Sequence, residues 1–435
     1  MQEVDVVYLY EHAARELDVA CAITALLKQN KNLSIEIVQW PVGFPEVVAK
    51  IHPHLVILPF CYSASSYESL LAYWHDSKFL NLGWEQFFYS GNRKAKTPSD
   101  EFSRKQVVHH AWSTEYGCFL KESDVLEENI FINGHPAYKL YHEPYKKHFA
   151  SRLDLAKQYN LNNSLRWVFF PENYNWAFYS DATIKQFIQN GQSAEDIEIM
   201  RDYCKKSLRE VLLWFVETAR EKNVEIILRP RPSTPLSEFR DVVRNIIGDL
   251  PTHIHIIQNE SVREWILASD LTVSSHSTSL IEAAVAEKEF YILAPYSIPQ
   301  QLHVDWHDMV DKVTTQQQFM HVALSHSNRN KILNKWAHKN FLSNHDPIKN
   351  LAEFISTILS NRPQEPIQFS QKTLLPNLRF IPPAWVWSIY RRLKQFIRFP
   401  QTLGVPPEHV PDYVSQVEIR SRIQKWSNLY TVDKS

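Results

Sequence analysis

The chain has 435 residues, of which 44% are hydrophobic and 22% are charged, and its formal net charge is −1. This length predicts two domains, and the near-neutral charge excludes a global field that would recruit nucleic acid. The four cysteines are scattered without C-x-x-C spacing, which argues against a disulfide framework or a zinc site and fits the cytoplasm. We expect neither a signal peptide nor a membrane-spanning segment, since the apolar runs are short.

Residues 1–145 alternate short apolar runs with helical patterns, as in a parallel sheet covered on both faces. The predicted strands are residues 4–10, 33–40, 54–60, 79–84, "VVHHAW" and "NIFING". The run "AARELDVACAITALLKQN" has helical apolar spacing. We expect a first Rossmann-like domain here.

The pattern restarts in residues 146–362. The predicted strands are residues 165–173, 224–231, 252–259, 270–276 and 289–295. The fold class expected is therefore α/β, with two facing Rossmann-like domains built on parallel sheets. In such sheets, ligands bind beyond the carboxyl ends of the strands, so the segments after each run are the candidate sites.

A basic, aromatic extension follows at 363–435. Residues 367–400 carry six Lys and Arg and no acid, with several aromatic residues. Such a segment suits the surface of an anionic membrane, with contact through residues 380–400. The alternative is a helix that packs back on the two domains.

The segment "SSHSTS" lies between a predicted strand and a predicted helix. Its small hydroxyls and the helix start would favour a phosphate, in a chain with only 8 glycines and no glycine-rich phosphate loop. The predicted donor-site residues here are Ser274, Ser275, Ser277 and Thr278, with Glu282 placed to accept ribose hydroxyls and His276 beside the phosphate. The alternative is a helix cap by Ser277 or Thr278.

Two arginines follow the strand at 224–231. Arg229 and Arg231 alternate with prolines, and their guanidinium groups suit phosphate or carboxylate. The alternative is an ion pair with local acids at the edge of the sheet.

A third polar segment, "FFPENYNWAFYSDAT", contains Glu172, Asn173 and Asp181. Two carboxylates at one strand end suit glycosyl chemistry, in which one acts as a nucleophile and another group as an acid or base. Asp181 could instead be a helix N-cap.

Polar residues also follow strands of the first domain. Glu11 and Arg15 come after the first strand, and Glu16 and Asp18 are expected to be solvated helix charges. Trp84, Glu85 and Lys96 follow the fourth strand, where a tryptophan beside polar groups would hold a sugar face. These five residues, namely Glu11, Arg15, Trp84, Glu85 and Lys96, are predicted to bind an acceptor. The alternatives are a Glu11–Arg15 helix pair and a buried Trp84 beside a structural Glu85–Lys96 pair.

These segments together resemble a known family. The matching motifs are "LYEHAARELD", "WEQ…KTP", "NGHPAYKLY", "PENYNWAFYSDAT", "LRPRPST" and "SDLTVSSHSTSLIEAA". They are similar to the retaining β-Kdo glycosyltransferases of bacterial O-antigen and capsule assembly, over residues 4–300. In "LRPRPST", arginine replaces the histidine of the family's K-P-H-P element.

The resemblance implies a GT-B fold with the donor, CMP-β-Kdo, in the C-terminal domain and no metal or other cofactor. It implies retention through a covalent intermediate on an aspartate, whose matching position is Asp181, and Glu172 is the second candidate for the acid. Arg229 or Arg231 would face the cationic transition state, and His276 with the serines would stabilise departing CMP. The acceptor would be a surface polysaccharide or lipid-linked glycan at the inner face of the cytoplasmic membrane.

Two other functions fit the same motifs. One is a GT-B transferase with another donor, such as a CDP-linked polyol, which needs no retaining nucleophile. The other is a non-catalytic scaffold of envelope assembly, which would tolerate changes at Asp181 and His276.

Overall fold

The computed structural model describes residues 1–40, 43–48, 50–89, 93–189, 191–231, 234–325, 331–342, 345–360 and 414–432. These residues form two compact units. Unit 1 contains the described parts of 1–86, 92–140 and 340–435, and unit 2 contains those of 87–91 and 141–339.

Unit 1 is built on a parallel sheet with the strand order β2-β1-β3-β4-β5-β6. The strands are β1 (Gln2–Tyr10), β2 (Ile35–Gln39), β3 (Ile51–Leu58), β4 (Lys78–Asn81), β5 (Val107–Ala111) and β6 (Ile130–Ile132). The central strands are buried on both faces, as Val6, Val7, Leu55 and Val56 show by their exposures of 0%. This two-sided burial explains the continuous apolar runs in the sequence.

The helices of unit 1 cover this sheet. They are α1 (Asp18–Lys31), α2 (Phe44–Val47), α3 (Glu68–Leu71), α4 (Glu101–Lys105), α5 (Thr114–Glu122), α6 (Pro136–Lys139), α15 (Pro347–Ser360) and α16 (Gln416–Val432). A π-helical turn, Ala13–Leu17, joins β1 to α1. Almost the whole circumference of α1 is buried because α15 and α16 pack against it.

Unit 2 is also built on a parallel sheet, with the strand order β12-β11-β10-β7-β8-β9. Its strands are β7 (Arg166–Pro171), β8 (Val224–Arg229), β9 (Ile254–Ile256), β10 (Leu271–Ser274), β11 (Glu289–Leu293) and β12 (Lys312–Val313). Each predicted strand is present, and the α/β prediction with two Rossmann-like sheets is confirmed. Strand β12 was not predicted, because two residues are too few to show an apolar pattern in the sequence.

The helices of unit 2 follow the strands in turn. They are α7 (Arg152–Tyr159), α8 (Asp181–Gln189), α9 (Ala194–Ala219), α10 (Leu236–Ile247), α11 (Val262–Ala268), α12 (Ser279–Val285) and α13 (Gln316–Leu324), and α14 (Lys331–Phe341) contains the boundary at Lys339. The long helix α9 contributes Leu208, Leu212 and Phe215 to the core of this unit.

The boundaries between the units differ from those expected. The second domain was expected to end at 362, whereas the described residues from 340 onward belong to unit 1. The described part of the extension, α16, packs on α1 through the buried Ile419 and Trp426, and Arg422 lies 3.5 Å from Asp18. Residues 416–432 therefore form a helix that packs back on unit 1, whereas the alternative expected a helix that packs on both domains. The segment 380–400, expected to contact a membrane, lies outside the described residues.

No helix in the described part of the chain is long and apolar enough to cross a membrane.

Candidate functional site

The carboxyl edge of the unit 2 sheet brings three of the predicted segments together. Strands β10, β7 and β8 are adjacent, and Glu172, Arg231 and His276 follow their ends. The strand ends are tied to one another, since the Glu172 N–H donates to the Arg229 carbonyl at 2.9 Å and the Ser274 hydroxyl donates to the Pro171 carbonyl at 2.7 Å. The edge therefore holds a carboxyl, a guanidinium and an imidazole on a rigid base.

Glu172 is the acid of this edge and is 3% exposed. Burial raises its pKa to about 7, against the opposing effects of the Arg231 cation and of backbone N–H groups, including that of Tyr174. A carboxyl with this pKa is partly protonated at neutral pH, so it can give or take a proton.

His276 is neutral at physiological pH. Burial and the nearby Arg231 cation lower its pKa to about 4. Its Nδ1 atom is buried and has no hydrogen-bond partner among the described residues. A neutral imidazole in this place can donate a hydrogen bond to a ligand but is a poor source of a proton.

The hydroxyls of "SSHSTS" divide between structure and site. The Ser274 hydroxyl is occupied by its hydrogen bond to the Pro171 carbonyl, and Ser275 is buried beside the hydroxyl of Tyr174. The Ser277 and Ser279 hydroxyls lie 2.6 Å apart, and Thr278 is exposed.

The N-terminus of helix α12 contributes less to anion binding at this segment than the sequence suggested. Helix α12 begins only at Ser279 and has seven residues, and Thr278, its N-cap, makes no side-chain capping bond. Its dipole is therefore weak, so an anion at this edge would depend on Arg231 and on the hydroxyl and imidazole donors.

Arg229 and Glu282 are held in a separate buried network of unit 2. Arg229 is 5% exposed and donates from Nε and Nη2 to the Glu260 carbonyl at 3.1 and 2.9 Å. Glu282 accepts a hydrogen bond of 2.6 Å from the Tyr141 hydroxyl. Burial raises the pKa of Glu282, and the Arg263 and Arg229 cations oppose this effect. One of the Glu282 oxygens is thus engaged with protein rather than open to a ribose.

Asp181 lies at the start of α8. Its side chain is 82% exposed and pairs with the Arg201 guanidinium at 2.8 Å. The alternative role as a helix cap is wrong, because Ser180 accepts the capping bond from the Thr183 N–H. Asn173 is half-buried in the loop that follows Glu172.

Unit 1 holds a cavity of about 230 Å³ at the carboxyl ends of β1, β3 and β4. The predicted acceptor residues all line it. The described lining residues are Glu11, His12, Arg15, Pro59, Phe60, Tyr62, Trp84, Glu85 and Lys96.

Arg15 is the centre of an ion-pair network in this cavity. Its guanidinium donates to Glu16 at 2.7 and 3.0 Å, to Glu85 at 3.1 Å and to Glu11 at 3.4 Å. The expected Glu11–Arg15 contact is therefore present, but it is the longest of the set. Lys96 also pairs with Glu85.

Glu16 and Asp18 are not solvated charges, so that expectation is wrong. Glu16 is 0% exposed, and its carboxylate also accepts the backbone N–H groups of Glu11 and His12 at 2.8 and 3.3 Å. The π-helical turn directs it back to the strand end. A sequence signal existed, since Glu16 falls on the apolar stripe with Ala13, Leu17 and Ala20.

Glu85 differs from Glu172 in the balance of effects on its pKa. Burial raises the pKa of Glu85, but the Arg15 and Lys96 cations outweigh burial and hold it at about 2. Glu85 is therefore ionised at physiological pH and keeps both cations neutralised.

The aromatic surface of the cavity differs from the prediction. Trp84 lines it but is only 3% exposed, which matches the alternative of a buried tryptophan beside a Glu85–Lys96 pair. The half-buried rings are those of Phe60 and Tyr62, stacked at 5.8 Å. Both residues follow β3. They could have been predicted from the sequence, because ligands bind beyond the carboxyl ends of parallel strands, as was assumed for β1 and β4.

No group of three or more His, Cys, Asp or Glu side chains is arranged to hold a metal ion in the part of the chain that the structure describes.

No family model and no curated protein matches the sequence. The fold does match solved structures. A protein designated UDP-N-acetylglucosamine 2-epimerase from Listeria monocytogenes has a TM-score of 0.52 and 12% identity, covering 83% of this chain and 98% of its own. The MnaA–UDP structure from S. aureus has a TM-score of 0.51 and 12% identity, with 85% and 100% covered. The wall teichoic acid polymerase TagF, as H444N with CDPG, has a TM-score of 0.52 and 10% identity, with 82% and 89% covered. At these identities the likeness shows the fold alone, a GT-B-type pair of Rossmann-like units.

Proposed function

We propose that the chain is a glycosyltransferase that binds a nucleotide-sugar donor at the carboxyl edge of the unit 2 sheet. The observation that carries the proposal is the cluster of Glu172, Arg231 and His276 beyond adjacent strands. It combines a carboxyl of pKa about 7 with a cation and a neutral imidazole. The likeness to structures with UDP or CDPG in their names agrees with a nucleotide ligand.

Arg231 would bind the donor phosphate. None of the hydrogen bonds between described residues uses its guanidinium, which remains available to an anion. His276 would donate a hydrogen bond from its neutral ring, and the Ser277 and Thr278 hydroxyls would add donors. In this proposal the cation replaces a metal, so a chelator would leave transfer unchanged.

The donor we propose is CMP-β-Kdo, and its choice rests on the family resemblance of the motifs. Asp181 would attack the anomeric carbon while CMP leaves with the electrons of the broken bond. An acceptor hydroxyl would then attack the same carbon, lose its proton to Glu172 and release the Asp181 carboxylate. Two inversions give net retention.

The acceptor would be a surface-polysaccharide or lipid-linked glycan held by the unit 1 cavity through Glu11, Arg15, Glu85 and Lys96. In a bacterial cell this reaction would take place in the cytoplasm or at the inner face of its membrane.

Incubation with CMP-Kdo and a glycan acceptor tests the proposal. We expect Kdo transfer that persists in EDTA, and loss of transfer in Asp181→Asn with the fold retained, because this exposed side chain contributes little to stability. The matched control is Asp202→Asn, which removes another exposed ion pair, 2.7 Å from Lys206.

The outcomes separate the alternatives. Transfer from a CDP-linked polyol that ignores Asp181→Asn would indicate the other donor class. Absence of any nucleotide binding, with indifference to changes at Asp181 and His276, would indicate a scaffold.

A further inference from the structure

The cavity of unit 1 has a charge balance that selects its ligand. Among the described lining residues, two carboxylates, Glu11 and Glu85, accompany two cations, Arg15 and Lys96. Arg15 also pairs with Glu16, which is buried behind the lining at 0% exposure. An anionic ligand would therefore find no excess of positive charge in this cavity.

The cations of this cavity are also occupied. Arg15 pairs with all three carboxylates, and Lys96 pairs with Glu85, whose pKa of about 2 keeps it ionised. Binding a phosphate or carboxylate here would require breaking one of these pairs. In unit 2, by contrast, Arg231 makes no ion pair within 4 Å to a described residue, and its nearby carboxyl, Glu172, has a raised pKa of about 7.

The remaining surface suits a sugar ring. Phe60 and Tyr62 present a stacked, half-buried aromatic pair, which can cover the apolar face of a pyranose. The carboxylates of Glu11 and Glu85 are 25% and 46% exposed and can accept bonds from hydroxyls. The volume of about 230 Å³ lies below the roughly 300–1,000 Å³ of drug-sized pockets, which fits one sugar residue.

We propose that the unit 1 cavity binds a neutral, hydroxyl-rich sugar residue and discriminates against acidic sugars and phosphates. The inference rests on the proposed function, since it names the class of acceptor at that site. The carboxylates accept hydroxyls, the aromatic pair stacks on the ring, and the paired cations give no free charge to an anion.

Binding of methyl glycosides to the full chain, followed by saturation-transfer NMR and titration, tests this inference. The probes are a neutral methyl hexoside and the matching methyl hexuronide. We expect the neutral glycoside to bind at least about tenfold more tightly than the hexuronide, because both cations of the cavity are already paired with carboxylates. Tyr62→Ala should weaken the neutral glycoside by about tenfold.

A charge variant provides the sharper comparison. Glu85→Gln removes the anionic partner of Lys96 together with one acceptor of sugar hydroxyls, so the ratio of hexuronide to neutral-glycoside affinity should rise several-fold. Glu101→Gln is the matched control, because Glu101 pairs with Lys105 at 2.9 Å outside the cavity.

Several results would overturn the inference. They are equal or tighter binding of the hexuronide than of the neutral glycoside, no binding of either glycoside, or an unchanged ratio of the two affinities in a folded Glu85→Gln variant. Kdo transfer without glycoside binding would reject only this inference. Neutral glycoside binding in a protein that binds no nucleotide would reject only the proposed function.

Discussion

Glu172 and Glu85 both follow strands of a parallel sheet, yet their pKa values move in opposite directions, to about 7 and about 2. Burial raises both. Glu172 faces one cation, Arg231, and burial prevails, whereas Glu85 faces Arg15 and Lys96 and the cations prevail. The number of nearby cations thus makes one glutamate a candidate acid and the other a fixed anion.

The raised pKa of Glu172 predicts a pH-dependent cost in stability. The folded protein holds this proton more tightly than the unfolded chain, so the group stabilises folding at low pH. This contribution to the free energy of unfolding is lost as pH rises from about 4.5 through 7. By pH 7 the loss amounts to roughly 3 kcal/mol. In urea unfolding at pH 5 and pH 8, Glu172→Gln should therefore gain stability relative to wild type at the higher pH. Glu101→Gln, an exposed control, should show no such trend, and a Glu172→Gln difference independent of pH would contradict the prediction.

The π-helical turn of Ala13–Leu17 shows how a local element builds a site. It directs the Glu16 carboxylate onto two backbone N–H groups and onto Arg15. The apolar stripe placed Glu16 on the buried face, but helical spacing alone does not reveal that a carboxylate can be satisfied there. Only the changed backbone register supplies those donors.

Glu16→Gln should destabilise the protein by roughly 2–3 kcal/mol, because an amide satisfies these donors less well and leaves Arg15 without its closest partner. The measurement is the urea midpoint at constant slope. If Glu16→Gln lost less stability than the surface control Glu101→Gln, the stabilising role of the buried Glu16 carboxylate would be contradicted.

Helix α16 is the element through which the end of the chain stabilises unit 1. Trp426 is 0% exposed and Val417 is 79% exposed on the same helix. Trp426→Ala should cost roughly 3–5 kcal/mol by leaving a cavity against α1, whereas Val417→Ala should change little. Thermal unfolding of both variants checks this, and equal effects would show that the helix is not packed as described.

Over the whole molecule, the sequence predicts the sheets well, because a buried parallel strand requires a continuous apolar run, as in residues 4–10 and 224–229. It also brings Glu172, Arg231 and His276 to one edge, since strand ends of a parallel sheet meet. It could not place residues 340–360 in unit 1, because the apolar face of a helix predicts that the face is buried but not which element it packs against. It also missed the Tyr141–Glu282 bond, which joins residues distant in sequence.

The two units differ in the availability of positive charge. In unit 1 the cations of the cavity are paired with carboxylates, whereas the side chain of Arg231 at the edge of unit 2 makes no hydrogen bond or ion pair within 4 Å to a described residue. This difference is the reason why we propose that the donor phosphate binds to unit 2.

Calorimetric titration of CMP into the full chain tests this central assignment most directly. We expect CMP to bind, and Arg231→Gln to weaken binding by about ten- to a hundredfold, since a guanidinium–phosphate bond is charge-assisted. Arg240→Gln, an exposed control on α10, should bind as wild type does. Failure of CMP to bind, or equal affinity in Arg231→Gln and wild type, would contradict the account.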